Sequence, residues 1–308
     1  MIKYPLEAFV SFTTKCNLKC KHCYSNSIIN GKTIDTIKLM KILKKIRPLR
    51  IVFSGGEPLI EFDTLINFLK EYKKIQDSYI VLATNSTFFN KEKLVLLKPF
   101  VDRLQISLDS LSRETFMKIR GVDLLDITIE NIKLAKKMNF DIQIAFSLFE
   151  ENLNDIEDII KFCEENKIDK INVIRQRPTG RSKSKLLSIQ VMNAYKRFLS
   201  LAKEKEIKII IHDPIANVLG IGSECGAAKQ SIAIDVDCNF KPCPLFEESI
   251  KGNFEEIWNS DFFNEVRKEV EECKNCKIKK CGGGCKACSW NIKNKLAKDP
   301  CCMINNIS

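Results

Sequence analysis

The sequence predicts an α/β fold, a parallel sheet of six β-then-α units followed by a small cysteine-rich C-terminal unit. Three observations predict it. Short β-rich runs alternate with amphipathic segments over residues 7–175, the pattern of a parallel sheet with crossover helices. Three cysteines, Cys16, Cys20 and Cys23, stand directly after the first β-rich run. Ten of the 14 cysteines fall after residue 224. Six units suit either a barrel that does not fully close or an open doubly wound sheet. In both, the site lies at the C-terminal ends of the strands.

The elements follow in order. EAFVSFTT (7–14) is a strand ending at the cysteine loop, and TIDTIKLMKILKKI (33–46) is helical. RIVFS (50–54) is the second strand, followed by the helical LIEFDTLINFLKEYKK. YIVLAT (79–84) and DRLQISLD (102–109) are the third and fourth, with helical segments after the latter up to about Met138. FDIQIAFSLF (140–149) precedes the helix LNDIEDIIKFCEEN, and INVIR (171–175) is the sixth strand. Cys163 repeats with Ile156, Ile159 and Ile160 on one helical face, so it reads as buried packing.

A chain of 308 residues holds one large domain or two. Its 44% apolar share is ordinary for a globular protein. No apolar run approaches the ~20 residues of a membrane span, and the N-terminus lacks a signal-peptide pattern. A cytoplasmic location follows, where the thiols stay reduced and available to metal. The formal charge is +11, spread over the helices rather than gathered beside aromatics. This predicts solvated helix faces, with neither a nucleic acid nor a membrane as partner. Loaded iron–sulfur cubes would offset part of the excess, each bringing roughly one or two negative charges.

Cys16, Cys20 and Cys23 form C-x3-C-x2-C. A structural zinc site takes four ligands in two pairs. Three thiolates from one loop suit three corners of a four-iron cube and leave one iron open, the mark of a catalytic metal site. A zinc knuckle lacking one partner is the alternative. The second strand ends in Gly55, Gly56, Glu57 and Pro58. Glycines allow close backbone approach to a ligand, and a carboxylate can receive an ammonium group. Thr84-Asn85-Ser86 and Ser107-Leu108-Asp109 end the next two strands, as helix caps or as polar contacts to a ligand.

Taken together, C-x3-C-x2-C, GGEP and S-L-D after strands one, two and four resemble the radical SAM superfamily, over residues 7 to about 215. The resemblance implies a partial (β/α)6 barrel whose [4Fe-4S] cluster binds S-adenosylmethionine (SAM) at its open iron. Reductive cleavage gives a 5′-deoxyadenosyl radical that removes a substrate hydrogen. It implies Cys16, Cys20 and Cys23 as cluster ligands, with His22 beside the adenine. Gly55, Gly56 and Glu57 are expected at the methionine amino group, Ser107 and Asp109 at the cosubstrate, and Arg120 and Arg175 at its carboxylate.

The C-terminal third begins after HDP (212–214). Alternation in AIDVDCNFKPCPLF predicts a hairpin, and GNFEEIWNS and FFNEVRKEV are helical. CKNCKIKKCGGGCKAC and KDPCC follow. Zinc ribbons are one reading. Behind such a barrel, the region resembles the SPASM extension, which carries two auxiliary [4Fe-4S] clusters. Residues 1–215 are then the barrel core and 216–308 the SPASM-like domain, with three clusters in all. The resemblance implies Cys225, Cys243 and Cys285 at the inner auxiliary cluster, and Cys273, Cys276, Cys281 and Cys302 at the outer one. Cys238 replaces the family's glycine, and four rather than five residues separate Cys276 from Cys281. Cys238, Cys288 and Cys301 are surplus. Two outcomes follow for the inner cluster: Cys238 supplies a fourth ligand, or, because the alternation of Ile232, Ile234 and Val236 carries it onto the apolar face, one inner iron stays open.

SPASM enzymes often crosslink or oxidise peptide side chains, and others act on tetrapyrroles. Peptide or protein modification is the expected function here, tetrapyrrole chemistry the alternative, and electron transfer without SAM chemistry a third. The first barrel strand starts near residue 7, so a separate leader-binding protein is expected to deliver a peptide. A flavodoxin or ferredoxin is the expected electron donor. No general acid or base stands out, and His212, at a strand end, reads as structural.

Overall fold

The computed structural model describes residues 3–183 and 186–304. Seven strands lie side by side in chain order, all parallel. They are β1 (Glu7–Thr13), β2 (Arg50–Gly55), β3 (Tyr79–Thr84), β4 (Arg103–Ser107), β5 (Ile142–Leu148), β6 (Lys170–Arg175) and β7 (Lys208–Ile210). β8 (Ser231–Ile234) pairs in parallel with the free edge of β1, and β9 (Phe240–Lys241) pairs antiparallel with β8. An unbroken chain order has no point where winding reverses, so the doubly wound alternative is excluded. The sheet is an open, barrel-type sheet.

Seven helices punctuate the parallel strands: α1 (Thr36–Ile46), α2 (Phe62–Lys73), α3 (Lys91–Leu97), α4 (Arg113–Arg120), α5 (Leu125–Lys137), α6 (Ile156–Glu165) and α7 (Ser188–Lys203). Strand alternation separates two faces. Ala8, Val10, Phe12, Ile51, Phe53, Leu82, Leu104 and Ile106 are buried in the apolar core. The opposite parity carries the half-buried Ser11, Ser54, Ala83, Gln105 and Ser107. Local chemistry sets the boundaries. Asp35 caps α1 by accepting from the Ile37 and Lys38 N–H groups at 3.0 Å each. Gly121, at φ +80°, ends α4 in the left-handed conformation. Cys163 is buried on α6 with Ile156, Ile159 and Ile160.

The C-terminal third adds α8 (Phe254–Trp258), α9 (Asp261–Arg267) and α10 (Lys286–Lys293). The hairpin expected around residue 238 is β8–β9, but β8 extends the barrel sheet across the expected boundary near residue 215. Helix α7 had no counterpart in the sequence pattern, and short β7 was marked there only by His212 at a strand end. β7 has only three residues, too few for an alternation signal.

Candidate active site and auxiliary cysteine sets

The cysteine loop leaves β1 and is pinned by backbone. Thr14 N–H donates to Lys32 C=O at 2.8 Å, and Cys16 N–H to Ile28 C=O at 2.9 Å. The GGEP turn grips it from β2. Gly56 N–H donates to Thr13 C=O at 2.6 Å and Glu57 N–H to Lys15 C=O at 2.8 Å. A Cβ on Gly56 would lie 2.0 Å from the Lys15 carbonyl oxygen, and Gly55 adopts φ +115°. Both glycines therefore serve the approach of two backbones.

Each thiol of the loop has donors aimed at it. Cys16 Sγ accepts from Leu18 N–H at 3.4 Å and Cys23 Sγ from Ser27 N–H at 3.4 Å. Arg120 Nη1 lies 3.8 Å from Cys20 Sγ. Burial pushes the Cys16 thiol up to about 12. Burial likewise raises Cys20, against the pull of Arg120. For Cys23 burial is outweighed by hydrogen bonds from Ser25 and Ser27, and its pKa falls. Donors directed at sulfur suit thiolates that ligate iron.

The expected cosubstrate contacts divide. His22 packs edge-on against Phe149, centroids 5.1 Å apart, with its Nδ1 enclosed and unpartnered. Burial, with Arg120, Lys21 and Arg181 nearby, holds the imidazole neutral. Ser107 sits half-buried at the end of β4, opposite Ala145 of β5. Asp109 is fully buried, accepting from Ser147 N–H at 2.8 Å and pairing with Arg120 at 2.5 Å. Arg120 thus bridges Asp109 and Cys20, leaving its Nε buried and unpartnered.

Two expectations need correction. Glu57 was expected to receive an ammonium group through its carboxylate. That carboxylate accepts from Leu59 N–H at 3.0 Å, Thr84 Oγ1 at 2.8 Å and Asn85 N–H at 2.7 Å. It ties the end of β2 to the end of β3, and burial raises its pKa to about 7. Arg175 was expected at the cosubstrate carboxylate. Its guanidinium is instead engaged by Asp213 and Asp299, each at 2.7 Å. Tyr195 donates to Asp213 at 2.7 Å, and Arg177 lies 3.6 Å from it. Burial opposes ionisation of Asp213, yet the two arginines hold its carboxyl down to about 2. Asp299 also accepts from the Cys285 and Cys301 N–H groups at 2.8 Å each. Arg175 therefore locks the end of β6 to the cysteine-rich tail. No spacing in the sequence announced this clamp, because its three charged partners are 38 and 124 residues apart.

The late cysteines fall into two sets. Cys225 and Cys243 both lie in electrostatic contact with Cys285. Cys273 and Cys281 lie within electrostatic reach of Cys302, and Cys273 of Cys276. The second set lines a shallow concavity together with Cys301. Gly283 lines it at φ +92° and Gly284 follows at φ +87°, where added Cβ atoms would lie 2.4 Å from Val270 and 2.3 Å from Asp299. Among the described residues no three metal-binding side chains converge as a single ion requires. A cube takes its thiolates at separate irons and needs no such convergence. Cys238 belongs to neither set. It occupies the β8–β9 turn at φ +62°, and its Sγ lies 3.9 Å from Asp35 C=O. The turn interrupts the alternation that was expected to carry Cys238 onto the apolar face.

A second strap was not foreseen. In the loop after β6, Arg181 N–H donates to Cys23 C=O at 3.0 Å, its Nε to Cys20 C=O at 3.1 Å and its Nη1 to Ser27 C=O at 2.9 Å. The same loop reaches the tail, where Asn291 donates to Pro178 C=O at 3.1 Å.

An open parallel barrel with a three-cysteine loop after its first strand defines an iron–sulfur enzyme class. The Radical SAM superfamily pattern matches residues 10–163, and the chain belongs to that superfamily. The superfamily implies a [4Fe-4S] cluster and SAM. A probable GTP 3',8-cyclase of Sulfurisphaera tokodaii is 29% identical over 66% of this chain and 65% of its own length. A Clostridium perfringens GTP 3',8-cyclase is 28% identical over 56% of each chain. The chain thus spans less than two thirds of these relatives. The Bacillus subtilis antilisterial bacteriocin subtilosin biosynthesis protein AlbA is 25% identical over 98% of this chain and 72% of its own. In structure, Streptococcus suis SuiB bound to precursor peptide SuiA aligns over 98% of this chain and 77% of its own, with TM-score 0.81 and 20% identity. The AdoMet-bound enzyme anSMEcpe aligns over 98% and 95%, with TM-score 0.77 and 18% identity. These two likenesses establish the fold. Among the described residues, no helix is long and apolar enough to cross a membrane.

Proposed function

We propose that this chain is a radical SAM enzyme with two auxiliary [4Fe-4S] clusters that modifies a peptide or protein side chain, by crosslinking or oxidation. The observation that carries this reading is the sorting of ten thiols into three sets, one at the barrel mouth and two in residues 216–308. The alignment with a bacteriocin biosynthesis protein over 98% of the chain supports the substrate class.

The residues fit the groups. Cys16, Cys20 and Cys23 hold the barrel cluster, Cys225, Cys243 and Cys285 the inner auxiliary cluster, and Cys273, Cys276, Cys281 and Cys302 the outer one. The buried, unpartnered Arg120 Nε and His22 Nδ1 leave hydrogen-bonding capacity beside the loop for a ligand. When bound, the barrel cluster supplies the electron that cleaves SAM to a 5′-deoxyadenosyl radical. The chain's own residues position and protect. The Gly55–Gly56 backbone and Ser107 line the cosubstrate side. Neutral His22, packed on Phe149, walls the adenine side. Asp109 orients Arg120 against Cys20. A flavodoxin or ferredoxin supplies electrons.

A nucleotide substrate is the second reading, favoured by the 29% identical GTP 3',8-cyclase. The test is a paired incubation of reduced, reconstituted protein with SAM. One arm receives GTP and the other the short peptides encoded beside the gene. Faster 5′-deoxyadenosine formation and loss of hydrogen mass from a peptide are expected. Conversion of GTP with every peptide unchanged would favour the second reading.

A further inference from the structure

The chain contains three C-x2-C pairs, and all three adopt one backbone turn. Cys23 N–H donates to Cys20 C=O at 3.3 Å, Cys276 N–H to Cys273 C=O at 3.0 Å, and Cys288 N–H to Cys285 C=O at 3.0 Å. The first two pairs each serve a single cluster in the proposed function. The third joins an assigned inner ligand, Cys285, to a cysteine that the family pattern leaves without a role.

Cys288 is placed for more than packing. It is 1% exposed in the first turn of α10, with its side chain beside that of Cys285. Arg175 and Arg177, both buried, place positive charge near it, which would offset the negative charge of a loaded cluster. Cys238, the other surplus cysteine of this region, is spent on the Asp35 carbonyl.

We propose that Cys288 is the fourth iron ligand of the inner auxiliary cluster, completing the set of Cys225, Cys243 and Cys285. This rests on the two-auxiliary-cluster reading above. An inner cluster with four protein thiolates has no iron free to bind substrate. Its role is then electron relay, and the substrate must be held by the barrel and its loops.

The experiment uses the full chain with Cys16→Ala, Cys20→Ala and Cys23→Ala, which removes the one cluster expected to have an open iron. After anaerobic reconstitution it should hold about eight irons. Mild oxidation followed by electron paramagnetic resonance should show no three-iron signal, because a cube held by four thiolates resists losing a corner. Adding Cys288→Ala should create that signal at about one per chain and lower the iron to about seven. Adding Cys288→Ser, which offers an oxygen ligand, should suppress the signal relative to Cys288→Ala. A three-iron signal already present in the background protein would overturn the proposal, since the inner iron would then be open. So would an unchanged spectrum and iron content in Cys288→Ala. A background protein with no iron would overturn the two-auxiliary-cluster reading itself.

Discussion

Glu57 and Arg175 show how a buried charge declares its job through its partners. The Glu57 carboxylate accepts three hydrogen bonds from within the chain. Burial raises its folded-state pKa from 4.5 to about 7. A raised carboxyl pKa means that the folded chain holds its proton longer than the unfolded one. Stability is then full below about pH 4.5 and falls as pH rises to about 7, by up to about 3 kcal/mol. In the cluster-free, reduced protein this loss should appear as a falling denaturation midpoint over that window. Glu57→Gln should flatten it, and an unaltered slope in that variant would remove Glu57 as its source. Arg175→Ala should cost about 3–5 kcal/mol, because Asp299 would remain buried without its cation and Asp213 would keep only the more distant Arg177. Chemical denaturation measures this. A variant of normal stability that has lost SAM affinity would return Arg175 to the cosubstrate carboxylate.

At the scale of elements, two loops hold the cysteine loop from opposite sides. The GGEP turn presses backbone on backbone, and Gly56→Ala would drive its Cβ into the Lys15 carbonyl oxygen, 2.0 Å away. That variant should lose the barrel cluster and keep the auxiliary ones, dropping iron from about twelve to about eight per chain. It should also abolish 5′-deoxyadenosine formation, and full iron with normal cleavage would contradict the assigned grip. Cys20→Ala should give the same iron loss by removing a ligand directly. On the other side Arg181 makes three hydrogen bonds to loop backbone. Arg181→Ala should weaken retention of the barrel cluster, read as faster iron loss to a chelator, while Arg181→Lys recovers part of it. Equal chelation rates in all three proteins would reduce the strap to a bystander.

Across the whole molecule, the cysteine-rich unit is built into the barrel rather than appended to it. β8 extends the sheet from β1, and the Asp213–Arg175–Asp299 clamp joins β6 to the tail. The six barrel strands were legible in sequence because strand periodicity is a local signal, as are the short cysteine spacings. The clamp, the Arg181 strap and the joining of β8 to β1 were not, since each pairs residues far apart in the chain. Arg175 and Glu57 were misread for a related reason. A motif places a side chain near a site but does not say whether its charge is already satisfied. For Cys238, the strand alternation expected to carry it onto the apolar face is interrupted by a left-handed turn. The most direct test of the central claim is anaerobic iron and sulfide analysis of the reconstituted full chain. The account predicts about twelve of each per chain, from three four-iron cubes. About four of each would contradict it, leaving a barrel cluster alone and the C-terminal thiols without the role proposed for them.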